Sequence, residues 1–201
     1  MKCLVEVILF FSCFVAMGHA QNHASFVSDN KIWYGEKEYF MGQDVSPWTF
    51  YMKGDTVIDS KTYTMAYGDM DSYFREEGKR IYRRLPDGQE FLMYDFNLEK
   101  NDVFCDAYSD NSDFKMQVLF KRSIEKEGQT LTCLGFGFYD AENENKSFDE
   151  SSTEVLDIWI EGVGNISHPE YAFYSAIGNV GISQVKCCMI QDECIYKRMD
   201  H

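Results

Sequence analysis

The chain has 201 residues, 16% of them aromatic, and a formal net charge of −14. That length and apolar content suffice for one domain with a real core. Three prolines among so many aromatic residues exclude a disordered or low-complexity chain. The acidic balance excludes nucleic acid and anionic membrane surfaces as partners, because both would be repelled.

Residues 1–20 are expected to be a signal peptide. Met1-Lys2 gives a short charged start, Leu4 to Met17 is mostly apolar with Glu6 as an interruption, and Gly18-His19-Ala20 offers small residues at the positions a signal peptidase reads. The apolar run is shorter than the roughly 20 residues of a membrane span, and no later stretch is long and apolar enough to serve as one. A second reading takes Phe10-Phe11-Ser12-Cys13 as a loose lipobox with Cys13 acylated, although the leucine usually found three residues earlier is absent. The leader contains one lysine and one glutamate, so the mature charge is unchanged at −14. Residues 21–47 then read as a lead-in and first strand, and 48–201 as a single β domain on which 31–47 packs.

Strand character recurs along the rest of the chain, without a helical period and caps. Residues 31–40 and 48–52 are aromatic-rich strands. Lys53-Gly54-Asp55 reads as a hairpin turn into Thr56–Ile58, and Asp59-Ser60 turns the chain again. From Thr62 to Tyr67 polar and aromatic residues alternate as in a half-buried strand. Residues 72–75 and 80–84 flank the turn Glu76-Glu77-Gly78-Lys79, and Pro86-Asp87-Gly88 is a turn in which Pro fixes φ and Gly permits φ > 0. Phe91–Leu98 is apolar on both faces at its start and is expected to be central. In 114–122, Phe114, Met116, Val118 and Phe120 are expected to face in, and Lys115, Gln117 and Lys121 out. In 130–139, Leu134, Phe136 and Phe138 share one face, and Gly135 and Gly137 lie opposite, where another element should approach closely. Residues 140–153 are a polar surface loop. The final hairpin, 183–189 and 193–198, closes around Gln191-Asp192.

One stretch organises these elements. In Asp157–Asn165 an apolar strand bearing Trp159 runs into Glu161-Gly162-Val163-Gly164, where Gly162 and Gly164 mark a bend needing φ > 0 or close backbone approach. Glu161 is a carboxylate at a strand end that an enzyme would use as acid or base; the structural alternative is that it binds turn amides or a buried cation. Arg75, Arg80, Arg83 and Arg84 form the one basic cluster, either receiving an anionic ligand or pairing with Glu76, Glu77, Asp87 and Glu90 across a hairpin. The binding candidates are therefore Glu161, Trp159, Arg75 and Arg83.

Five cysteines follow the leader. Cys105 could pair with Cys133, and Cys188 or Cys187 with Cys194; equally, several are small buried apolar residues. The odd number leaves at least one thiol unpaired within a monomer. His23, His168 and His201 are far apart in sequence, so no metal and no cofactor are expected. The acidic loops containing Asp106, Asp110, Asn111 and Asp113 and spanning 140–150 lack EF-hand spacing. Nucleophile elbows and phosphate-binding glycine loops are absent.

Several segments in order resemble a family of exported all-β proteins of Bacteroides-type gut bacteria: FYMKGDTVIDSKTYTMAY (50–67), DSYFREEGKRIYRR (71–84), FLMYDFNLEKND (91–102), IWIEGVGN (158–165, a W-x-EG-[IV]-G turn) and VKCCMIQDECIYKR (185–198, a closing hairpin of the C-x-E-x-x-Y type). After the turn this chain has Asn165-Ile166-Ser167-His168-Pro169 where the family often has Ser-Gly-Leu. The resemblance implies an exported address and a β architecture, and carries over no catalytic residues.

The reading is an all-β fold, an antiparallel meander forming a curved barrel or sandwich, with lipocalin-like closure as one version. The expected function is a non-catalytic binding or interaction module, exported to the periplasm, cell surface or medium, whose partner is a protein, a glycan or a small apolar ligand. The alternatives are a lipocalin-like carrier of a hydrophobic molecule and a hydrolase using Glu161.

Overall fold

The computed structural model of the chain describes residues 25–39, 44–105, 115–126, 128–140, 146–149, 151–174 and 182–198. Residues 1–24 with Cys13 and His23, the Asp106–Asp113 acidic loop, Phe114 and His201 lie outside them. Among the described residues there is no helix, and so none long and apolar enough to cross a membrane.

Among the described residues thirteen strands form two antiparallel sheets. The first six run as a meander: β1 (Lys31–Glu38), β2 (Val45–Ile58), β3 (Lys61–Tyr67), β4 (Ser72–Glu77), β5 (Arg80–Arg84) and β6 (Glu90–Asp95). The chain then crosses to a second sheet and meanders again through β7 (Val103–Cys105), β8 (Lys115–Lys126), β9 (Gln129–Phe138), β10 (Asp157–Ile160) and β11 (Gly164–Asn165). It returns through β12 (Ile182–Ile190) and β13 (Glu193–Lys197), and β12 pairs with β1. The sheet orders are β13-β12-β1-β2-β3-β4-β5-β6 and β11-β10-β9-β8-β7. A backbone bond from Val185 N to Ile166 O, 2.7 Å, ties the end of the second sheet to β12 in the first. The fold is all-β and curved, as expected.

Local turn chemistry sets much of this. Asp59 and Ser60, with φ of 50° and 65°, close the β2–β3 hairpin in the two-residue form whose twist matches the strands. Gly54, at φ 81°, belongs instead to a bulge. The register passes from Met52↔Ala66 to Asp55↔Thr64, and β2 runs on through it. The expected hairpin at Lys53-Gly54-Asp55 is therefore a bulge, and the Asp29 carboxylate takes the Gly54 amide at 2.8 Å.

The core lies between the sheets and is largely aromatic. Trp159 is fully buried, with ring centroids 4.1 Å from Phe136, 4.8 Å from Tyr94 and 5.1 Å from Phe173. Phe26, a lead-in residue, packs against Trp33, Phe74 and Tyr94 of the first meander, and its ring lies over Gly164 of the second sheet. Rings at these separations interdigitate at crystal-like density.

Three inward–outward assignments change. Gln117 is buried rather than outward, because the far face of the second sheet is covered: the Glu154 carbonyl and the Leu119 side chain occupy the space over Gly137. Phe148 of the 140–153 loop packs partly buried against the core, so that part is no free surface loop. Phe138, expected inside, is 56% exposed at the end of β9.

The close approach expected at Gly135 is present. A Cβ there would lie 2.1 Å from the Phe120 ring, which sits across the sheet from it. Gly135→Ala should destabilise the protein by about 1–3 kcal/mol through overpacking, and the same substitution should cost less in a Phe120→Ala background, itself destabilised by the loss of a core ring. Urea unfolding of both variants checks this.

Candidate functional site

The turn after β10 is buried, and its backbone groups have partners from distant strands. Gly162 and Gly164 both have positive φ, at 77° and 85°. The Gly162 carbonyl accepts from the Lys31 ammonium, and the Val163 carbonyl accepts from Trp33 Nε1 at 2.8 Å. The Asn165 amide donates to the Tyr94 hydroxyl at 3.1 Å, and that hydroxyl donates to Pro169 O at 2.8 Å. Lys31 is itself buried, donates to Ser25 O at 2.6 Å and lies 4.9 Å from the Trp33 ring centroid. Burial pushes its pKa down, against the opposing pull of Cys188 and Glu76.

The sequence-predicted residues do not form one site. Trp159 is a core ring whose Nε1 donates to Ala172 O at 2.6 Å, so it offers no binding surface. Glu161 takes the structural role: its carboxylate receives Lys79 Nζ at 3.1 Å and the Thr132 amide at 3.1 Å. Burial pushes its pKa up, but the bonds from Thr132 and Lys79 outweigh that and hold it below the usual range.

The arginine cluster is divided among separate partners. Arg75 grips Glu90 with both Nε (3.0 Å) and Nη2 (2.8 Å), reaches Glu77 at 3.0 Å, and lies over the Tyr82 ring at 3.8 Å. Tyr63 also donates to Glu90. Arg80 pairs with Asp95 and Arg84 with Asp59, neither among the expected partners. Glu76 instead accepts from Ser25 Oγ and the Val27 amide.

Arg83 is the buried member. Its Nη2 meets Glu170 Oε1 at 3.1 Å, its Nη1 donates to Glu170 O at 2.7 Å, and its Nε donates to Ser72 Oγ at 3.1 Å. Glu170 also accepts the amides of Asp69 and Met70, each at 2.9 Å. Burial pushes the Glu170 carboxyl up, opposed by those amides and by Arg83. A buried ion pair satisfied this completely is costly to break from one side.

The same loop places His168 beside it. The imidazole is 5% exposed and lies between Trp48, at 4.2 Å between centroids, and Tyr174, at 5.5 Å and nearly parallel. Its Nδ1 has no hydrogen-bond partner. Burial above all pushes its pKa down to about 4, so the ring is neutral at physiological pH. One nitrogen of His168 and one oxygen each of Asp69 and Glu170 lie within 4.8 Å of one another. Sequence spacing did not find this grouping, because Asp69 sits in the β3–β4 turn, far away in the chain. The available signal was His168-Pro169-Glu170 directly after a buried glycine turn.

The outer face of the larger sheet carries a second grouping. Tyr34 and Tyr51 are 42% and 38% exposed, and Tyr67, Tyr73 and Tyr82 are half-buried on the same face. Tyr51 and Tyr67 are cross-strand partners stacked at 4.9 Å.

The structure excludes one of the expected cysteine pairings and selects between the two alternatives of the other. Cys105 is level with Lys115 and Cys133 with Arg122 on opposite sides of β8, about 20 Å apart along that strand alone. This is far beyond disulfide reach. Cys188 faces the core, where burial pushes its thiol up to about 12. Cys187 is the one that faces Cys194, with the sulfurs 3.9 Å apart.

Comparison of the chain with family models, with curated proteins and with solved structures finds no match.

The Arg75–Glu90 contact has a definite pH signature. Bonds from Arg75 first, then Tyr63 and Lys61, hold the Glu90 carboxyl down at about 2 against the opposing effect of burial. A depressed acid stabilises the fold above its unfolded value, near 4.5, and loses that contribution as pH falls toward its folded value. Wild type should therefore exceed Glu90→Gln in unfolding free energy at pH 7. That gap should narrow from about pH 4.5 downward and close near pH 2. Denaturant titrations of the two proteins across this range measure it.

Proposed function

We propose that the protein is an exported, non-catalytic binding module whose contact surface is the tyrosine-bearing outer face of the larger sheet, and that its ligand is a neutral or cationic glycan. The observation that carries this reading is the run of tyrosines over four of the meander strands, from Tyr34 on β1 through Tyr51 and Tyr67 to Tyr73 on β4. Each offers an apolar ring and a hydroxyl with little rotamer freedom to lose. Saccharide rings present the complementary alternation of C–H faces and hydroxyls. The acidic chain repels polyanions, which favours uncharged or positively charged chains.

Two alternatives have less support. The space between the sheets is filled by interlocking aromatic rings, which argues against an apolar carrier chamber there. Glu161, the carboxylate a hydrolase would need, is held by Lys79 and Thr132 in a structural role. Export rests on the leader-like first 20 residues, and kinship with exported β proteins of Bacteroides-type bacteria on the five segments named above.

Affinity electrophoresis of the mature chain through gels containing a β-glucan, a mannan, a xylan or chitosan tests the reading. At least one should retard the wild-type protein. Tyr51→Thr/Tyr67→Thr, which keeps strand propensity, should weaken that binding by about tenfold or more, while stability falls by no more than the stacked pair supplies, about 0.5–1.5 kcal/mol. Absence of retardation in every gel, or equal retardation of wild type and variant, would overturn it.

A further inference from the structure

We propose that Asp69, His168 and Glu170 form a binding site for one divalent cation, with zinc the best match. The donor set is one imidazole nitrogen and two carboxylate oxygens, already within 4.8 Å of one another. Mixed nitrogen and oxygen donors suit zinc and its neighbours in the first transition row, whereas calcium and magnesium favour oxygen alone.

The second observation is the imidazole itself. His168 is 95% removed from solvent, and its Nδ1 meets no donor or acceptor. A buried polar atom left without a partner costs free energy comparable to a lost hydrogen bond, so a cation bound by this nitrogen would remove a defect. The ring is also preorganised, because Trp48 and Tyr174 hold its two faces and Tyr171 abuts it edge-on.

The carboxylates are positioned in the way ligands in metal sites usually are, each oriented by another group. Glu170 Oε1 is occupied by Arg83 and the Met70 amide, while Oε2 takes the Asp69 amide alone and retains a lone pair. Asp69 Oδ2 accepts from the Tyr171 hydroxyl at 3.2 Å. Tetrahedral zinc separates its ligand atoms by about 3.3 Å, so the group must contract, and the exposed Asp69 side chain is the member free to rotate inward. The two carboxylates are balanced by Arg83 and, acting on the imidazole, Lys37, so it is the converging donor atoms rather than a net site charge that would hold the cation. With three protein donors, a fourth position would stay open to water or to a ligand atom.

The test uses the full mature chain after chelator treatment, with Zn²⁺ titrated calorimetrically and Co²⁺ followed by its visible spectrum. The expected result is one equivalent bound, a rise in Tm, and Co²⁺ bands of oxygen–nitrogen coordination. Asp69→Asn removes an exposed ligand without disturbing the core. It should weaken the affinity by about 10–100-fold, with the metal-free Tm unchanged. His168→Gln should weaken the affinity likewise, with some loss of metal-free Tm because it removes the ring packed between Trp48 and Tyr174. Failure of wild type to bind saturably would overturn the proposal, as would undiminished affinity in Asp69→Asn. Intense near-ultraviolet thiolate bands with Co²⁺ would also overturn it, by assigning the metal to the cysteines.

Discussion

A reversed stretch of backbone sits in the middle of this protein, and the rest of the structure supplies what it lacks. The Glu161–Gly164 turn lies in the core, where its amides and carbonyls have no access to water, so each unpaired group would carry a desolvation penalty. The partners come from far along the chain: Lys31 and Trp33 from β1, Thr132 from β9, Tyr94 from β6. Burying an ammonium to serve two carbonyls is expensive in itself. It is tolerable here because the same lysine satisfies the turn and the lead-in at Ser25 while lying near the Trp33 ring. A Cβ at Gly164 would come within 2.7 Å of Phe26, so glycine is required at this position by packing as well as by its positive φ.

That constraint propagates outward. With the turn fixed, the chain after it must run between the sheets, and its backbone ties them: Ile166 bonds back to Ile158 while accepting from Val185. Glu170 then arrives at Arg83 and at the β3–β4 turn, and His168 is carried between Trp48 and Tyr174. The ionisable groups in the interior therefore divide into two kinds. Lys31, Arg83 and Glu161 are consumed in holding elements together. His168 keeps a nitrogen without a partner, which is why the loop after the turn stands out chemically.

What was legible in the sequence followed from short-range rules. Asp59-Ser60, Pro86-Asp87-Gly88 and Gln191-Asp192 are turns because local residues tolerate the required φ, and the strands between them alternate. The Gly162–Gly164 bend and the crowding at Gly135 were readable for the same reason. Gly54 was not: bulge and hairpin glycines share a positive φ, and only the strand register that continues across Gly54 separates them. Gln117 looked outward because alternation describes a single sheet and cannot see the Glu154 segment laid across it. Of the arginines, Arg75 meets Glu77 and Glu90, two of the near partners expected for the cluster, yet Arg83 found Glu170 and Arg80 found Asp95. Asp69 joins His168 and Glu170, which are close in sequence, only through long-range topology, which spacing along the chain does not encode.

Amide hydrogen exchange across 158–166 tests the central role of the turn most directly. The amides of Glu161, Val163, Asn165 and Ile166 are all hydrogen-bonded within the core. If the turn is the fixed point of the fold, they should exchange only through global unfolding, with protection equal to that of the β8–β9 pairing. Exchange at the rate of surface turns such as Pro86–Gly88 would contradict the account. It would mean that the turn opens locally and that the sheets hold together without it.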